Sequence, residues 1–251
     1  MSKMSLQNPT HAFWISAYHG FSKSIPILDL TQKILPEYVN HNRDIDDSKF
    51  RTRLHDIVMP AQESGEDECE DLRYILKKDT WKSRIYLLFS VGPTEPHDSM
   101  TAASEPADLI NHNEIDDPKK ENSNSDRVIE YCIATVQRTS HLTLSFLIQF
   151  PNDSTHSSHA VECKRGKMVP RTQVFVKDSI QYSWEMESGI KDFRQTLFRN
   201  HSGQKTAVAV FRRLEHLRGL RGKLLLVDET AGIDHVVVLL STLATYKGGG
   251  G

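Results

Sequence analysis

The sequence predicts an α+β fold: a mainly antiparallel, twisted β-sheet of about eight strands covered by two or three helices. Three observations carry this. Two adjacent runs, RVIEYCIATVQ from Arg127 and HLTLSFLIQF from His141, pair β-branched and aromatic residues with a short polar connection. Other short apolar runs punctuate both halves of the chain, at the length of strands. Two stretches, Pro26 to Leu35 and Lys205 to Arg218, place apolar residues three and four apart, as helices do.

The central pair anchors the sheet. Ile129, Tyr131, Ile133 and Thr135 fall on one face at period two, with Glu130, Cys132 and Ala134 on the other. Arg138 to Ser140 is the hairpin connection, and Leu142, Leu144, Phe146 and Ile148 make the apolar face of the second strand. Upstream, His11 to Tyr18 reads as a first strand, and Pro26 to Leu35 as a short helix stopped by Pro36. Phe50 to Met59, Leu72 to Lys77 and Trp81 to Val91 read as strands. The run from Gly92 to Asp126, rich in Pro, Ser, Asn and acids, buries too little apolar surface to offset its ordering entropy and is expected to be disordered.

Downstream, His159 to Lys164 is a short strand. Thr172 to Met186 is one bent strand or two, broken near Lys177–Asp178. Ile190 to Phe198 fits strand or helix. Lys205 to Arg218 is the clearest helix, with Ala207, Val210, Phe211, Leu214 and Leu217 in one stripe and Gly219 as its stop. Lys223 to Asp228 is a buried strand, and Ile233 to Leu240 its antiparallel mate, with a helix through Tyr246 as the alternative. The chain thus divides into a first part of the sheet with one short helix (1–91), an acidic and polar insertion (92–126), a second part of the sheet with the basic helix (127–247) and a Gly tail (248–251), residues 1–247 being read as one domain.

The 251 residues are 25% charged and 38% hydrophobic, with a net charge of −2. That balance hides an asymmetry. Residues 1–126 carry 14 Lys and Arg against 22 Asp and Glu, and residues 127–251 carry 17 against 11. The halves can attract one another, or the second can meet an anionic partner. Three widely spaced cysteines, Cys69, Cys132 and Cys163, suit a reducing compartment, so a cytoplasmic or nuclear location is expected. No run reaches the roughly 18 apolar residues of a membrane span, and no secretory signal opens the chain.

Motifs that imitate chemistry fail on spacing. Ser202 to Thr206 (SGQKT) followed by KLLLVDE resembles a phosphate loop and an acidic strand. Gln204 stands where that loop needs glycine before its lysine, and Arg199 replaces the first glycine. The degenerate nucleotide-binding enzyme is therefore the weakest alternative. His156, His159 and Cys163 have ligand-like spacings, but a structural zinc site wants four ligands and no second cluster follows. No nucleophile elbow is present. No catalytic residue, metal or cofactor is expected, and no small-molecule substrate.

The positive lead is the basic segment Arg199, Lys205, Arg212, Arg213, Arg218, Arg221 and Lys223, opposed only by Glu215. On a helix it would offer a surface to nucleic-acid phosphates or to an acidic protein partner; a solvated face answering the acidic half is the plainer explanation. Ser64, in the acidic loop Glu63 to Asp71, is a candidate phosphosite. The expectation is a non-enzymatic interaction subunit of an intracellular assembly, using sheet edges and the basic helix, with one or more protein partners. A nucleic-acid-associated protein is the alternative.

Overall fold

The computed structural model describes residues 6–17, 24–63, 70–79, 85–92, 129–139, 145–166, 172–186, 194–214, 220 and 222–246. Twelve strands run in chain order: β1 (His11–Ser16), β2 (Ser24–Asp29), β3 (Leu72–Lys78), β4 (Ile85–Gly92), β5 (Ile129–Arg138), β6 (Phe146–Gln149), β7 (Val161–Arg165), β8 (Gln173–Lys177), β9 (Ile180–Met186), β10 (Arg194–His201), β11 (Gln204–Arg213) and β12 (Gly222–Val227). Each pairs antiparallel with its sequence neighbours, and β12 returns to β1, so the sheet closes on itself as an up-and-down barrel. Helices α1 (Thr31–Asn40) and α2 (Ser48–Glu63) lie between β2 and β3, and α3 (His235–Tyr246) follows β12.

This corrects the α+β expectation: a closed all-antiparallel barrel with three short helices replaces a helix-covered sheet of about eight strands. The correction has local causes. The stretch from Lys205, expected as a helix, is strand β11, because Val208, Ala209, Val210 and Phe211 are buried in succession on both faces of a wall. A run that is apolar on both sides mimics a helical stripe. Pro26 to Leu35 divides into β2 and the start of α1. Pro36 lies inside α1 on its solvent side, where the Gln32 carbonyl it leaves unbonded faces water. Phe50 to Met59 is helical, with Phe50, Leu54 and Val58 buried at spacing four. Asp47 caps α2 by accepting from the Lys49 and Phe50 amides at 2.9 Å.

An eight-stranded barrel can be filled by side chains alone, whereas twelve strands enclose a wider lumen. Helix α3 fills it. Val236, Val237, Val238, Leu239 and Leu240 are all fully buried, so the helix is covered all round. They share one core with Phe13, Leu76, Leu88, Val136, Ile148, Trp184 and Leu225 from around the wall. The helix touches β6 and β12, which are opposite each other in the ring. Trp184 on β9 also donates its indole N–H to Ser241 at 2.9 Å. A helix reached from opposite sides of a closed wall lies inside it.

Outside, α1 and α2 cover one sector of the wall. Ile34, Tyr38, Phe50, Leu54 and Val58 pack on Ala12, Trp14, Leu28, Val210, Leu224 and Leu226. Strand β12 is therefore buried along its whole length, which explains its unbroken apolar run. Gly222 admits the Trp14 indole, since a Cβ there would lie 2.4 Å from its Cζ2 atom. The hairpins at Asp178–Ser179 (φ 51° and 63°) and Ser202–Gly203 (φ 50° and 77°) have both central residues left-handed, as two-residue turns with the strands' own twist require.

In β5 the expected alternation breaks at Ile133. Leu88 pairs with Ala134 but Phe89 with Cys132, leaving Ile133 as the extra residue of a bulge. Beyond it the core face is Ala134 and Val136 rather than Ile133 and Thr135. The expected insertion from Gly92 to Asp126 lies, after Gly92, outside the described residues, as does Ser64. Among the described residues no helix is long and apolar enough to cross a membrane.

Because the strands alternate in direction, the barrel has two distinct ends. At the entry end β1 begins, β12 finishes and α3 enters; the exit end lies at the other side. Two predictions follow from the packing. Leu239→Ala should lower unfolding free energy by about 2–5 kcal/mol, whereas Val176→Ala, on the outer wall and 57% exposed, should change it by less than about 0.5 kcal/mol; urea denaturation midpoints compare them. Gly222→Ala should be destabilising by about 1–3 kcal/mol or more through the forced move of Trp14, read by the same measurement.

Candidate functional site

The densest group of titratable side chains among the described residues is at the entry end, where β12 turns into α3. Asp228 accepts from the Thr230 amide at 3.0 Å and starts a short 3₁₀ turn, Glu229–Ala231, which Gly232 ends with φ 82°. Asp234 then caps α3: its Oδ1 accepts from the amides of Val236 (2.8 Å) and Val237 (3.3 Å). Its Oδ2 accepts from His156 Nδ1 at 3.0 Å, tying the β6–β7 connection to the helix start.

Glu229 reaches across the turn. Its Oε1 accepts from the His235 amide at 2.8 Å and from His235 Nδ1 at 2.5 Å. A carboxylate only accepts, so the proton on that ring edge belongs to Nδ1. The neutral ring then accepts through Nε2 from the Tyr74 hydroxyl at 2.9 Å. His11 stacks on His235 with centroids 4.5 Å apart and planes 15° from parallel, and Phe13 lies against His235 at 5.6 Å. Thr10 Oγ1 accepts from the Glu229 amide at 3.0 Å and sits 3.0 Å from His11 Nδ1.

The electrostatics follow from this packing. Burial, and then the neighbouring His235, lower the pKa of His11 below the usual imidazole range. Burial raises that of Tyr74 and keeps the phenol protonated as a donor. For Glu229, burial pushes upward, but the His235 amide and ring hydrogen bonds and the nearby imidazoles outweigh it, and its carboxyl titrates below the usual range. Asp234 behaves likewise: burial raises it, and His156, His235 and the Val236 amide lower it further.

Glu229, His235 and Tyr74 are ordered like a proton relay. Its last member is buried in the wall, 3% exposed, so the hydroxyl has no route to a reactant. His11, Glu229 and His235 also hold ligand-type atoms within 4.8 Å of one another. Imidazole lone pairs lie in the ring plane. Two nearly parallel stacked rings therefore direct them along parallel lines, and one ion in the plane of either ring lies off the plane of the other. One ring would have to turn for both to bind it. The arrangement holds a helix; it is a latch on the α3 N-terminus.

The structure separates the residues expected from sequence. Arg199 lies on β10 at the entry end, paired with Tyr182. Lys205 is exposed on β11, 2.6 Å from Glu185 and over the Phe198 ring at 4.2 Å. Arg212 is buried beneath the α1–α2 turn, 2.6 Å from Asp46, which also pairs with Arg194 at 3.5 Å. Arg213 is exposed at the exit end, and Lys223 is buried with its ammonium 5.7 Å from the Phe211 ring. Arg218 and Arg221 lie outside the described residues. From Lys205 to Arg212 the strand spans roughly 24 Å, so these cations do not share one helix face.

The imitated phosphate loop is a hairpin tip, with Gln204 to Thr206 in strand and no helix behind them. Of the zinc-like trio, Cys163 is buried in the core with its thiol pushed up to about 12, His156 serves Asp234, and His159 is exposed beside Ser158. The latch residues were missed, although Asp234 directly before HVVVLL is a helix-start signal. Fold and site together define a helix-plugged, twelve-stranded up-and-down barrel. No family model, no curated protein and no solved structure matches this chain.

The latch predicts acid sensitivity. His11 titrates lower in the fold than in the unfolded chain, so its neutral form is favoured and stability is lost as pH falls below about 6.5. Glu229 and Asp234, both depressed, add a second loss as pH falls through the region below the ordinary carboxylate range. Thermal melts should show Tm falling from pH 7 to pH 5, with a smaller fall in His11→Phe. For the buried pair, Arg212→Ala should cost about 3–5 kcal/mol by leaving Asp46 uncompensated, and Arg213→Ala less than about 0.5 kcal/mol, compared by denaturant titration.

Proposed function

We propose that the chain is a non-enzymatic interaction subunit of a multi-protein assembly, in the cytoplasm or nucleus. One observation carries this reading: α3 occupies the lumen, the place where a barrel of this width would hold a ligand, and the titratable groups at its mouth are engaged in fastening that helix. Recognition then falls to the outer wall and the two ends. Sheet edges are not the means, because β1 and β12 pair and the sheet has none free. The reducing-compartment assignment rests on cysteine usage: Cys163 is buried and Cys132 unpaired.

The test is affinity capture of the full chain from its native source, with quantitative mass spectrometry. The expected result is one or more partners recovered in fixed stoichiometry that survive nuclease treatment. Recovery of the chain alone, or loss of every partner on nuclease treatment, would overturn the reading. The second outcome would favour the nucleic-acid alternative.

A further inference from the structure

The barrel register places five cations on the inward face at the exit end. Lys78 pairs with Tyr86, which packs on the core; Arg138 pairs with the core residue Phe146; Arg165 pairs with Gln173, itself opposite Trp184; Lys223 pairs with Ile15, and Arg213 with Lys223. Directly paired residues share a face of the sheet, so all five point toward the barrel axis. They come from β3, β5, β7, β11 and β12 and form a collar around the end toward which α3 runs. Lys223 and the neutral Gln173 and Gln195 form its buried floor, while Arg165 and Arg213 are exposed at its rim. No acid holds an inward position at this end among the described strand residues.

The structural explanation is that the collar answers the C-terminus of α3. A helix end carries only about half a negative charge, too little for five cations. The six connections at this end, counted from the sequence, add eight Lys and Arg against four Asp and Glu. Even with every one of those acids engaged by a cation, this end stays strongly positive. Arg194 and Arg212, on the outer face, are answered separately by Asp46.

We infer that the exit-end collar is a docking site for an acidic polypeptide segment of a partner, which deepens, and rests on, the interaction-subunit reading. Cations on five strands facing one axis suit a short occupant set over the barrel mouth, with carboxylates directed to several sides at once. A nucleic-acid strand is held instead along a linear track that follows its backbone. Three of the five are arginines, whose planar donors match carboxylates in pairs.

The experiment is a fluorescence anisotropy titration of the full chain with a labelled 12-residue Asp/Glu peptide, a neutral Gly/Ser peptide and a 12-nucleotide single strand. The acidic peptide should bind saturably and weaken at least tenfold in Arg138→Glu/Arg165→Glu/Arg213→Glu. Lys205→Glu, at the entry end, should leave it unchanged. Arg165→Glu and Arg213→Glu singly, both exposed and checked by thermal melts, keep the test valid where the triple variant misfolds; each should weaken binding severalfold. Absence of saturable peptide binding, binding indifferent to these changes, or a tighter oligonucleotide would each overturn the inference. Partners captured by the wild type and retained in equal amount by the single variants would sink the collar alone, leaving the interaction reading intact; no captured partner would sink that reading first.

Discussion

Everything in this molecule depends on α3 being inside the barrel. A wall of twelve strands is too wide for its own side chains to fill, and the inward faces of Leu88, Val136, Ile148 and Leu225 have no mates across the lumen without Val236 to Leu240 between them. The dependence is mutual. A helix that is apolar on every side has no stable place on a surface, and only an enclosing wall removes all of it from water. Closure and plugging are therefore one event, and the residues that aim the helix into the lumen are as structural as the core itself.

That accounts for the chemistry at the entry end. The helix start brings unbonded amides to a half-buried mouth, where each needs a partner. Asp234 and Glu229 supply carboxylate oxygens, and His156 and His235 turn the remaining lone pairs into ties to the β6–β7 connection and, through Tyr74, to β3. A group of imidazoles and carboxylates this dense resembles an active centre when only residue types are considered. Its geometry, stacked rings and a phenol sealed in the wall, is that of a fastening.

The parts of the fold legible in the sequence were those set by local chemistry. The break near Lys177–Asp178 is a real two-residue turn, because left-handed positions tolerate Asp and Ser better than branched residues. Lys223 to Asp228 is a strand buried on both faces, as its unbroken apolar run required. The illegible parts depended on distant partners. TAVAVF in β11 satisfies helical and strand spacing alike, and only α3 on one side with α1 and α2 on the other selects the strand. IDHVVVLL reverses the case, since β-branched valines argue for a strand until an enclosing wall and the Asp234 cap make a helix. The basic segment failed as a site for the same reason: once it is strand, its cations alternate between faces and spread between the two ends.

The orientation of α3 ties the two ends together. Its N-terminus, the positive end of the helix dipole, meets Glu229 and Asp234, and its C-terminus runs toward the collar of Lys78, Arg138, Arg165, Arg213 and Lys223. Both contacts favour the observed direction and oppose the reverse one. The acidic runs share this polarity. Glu63 to Asp71 has six acids and no base and leads into β3 at the entry end, and Gly92 and Ile129, which bracket nine acids against three bases, also lie at that end. The charge asymmetry first seen between the halves of the chain is thus in part an asymmetry between the ends of the barrel. An up-and-down wall sends alternate connections to opposite ends, so acid placed in one set of connections and base in the other polarises the molecule along its axis without disturbing a single strand.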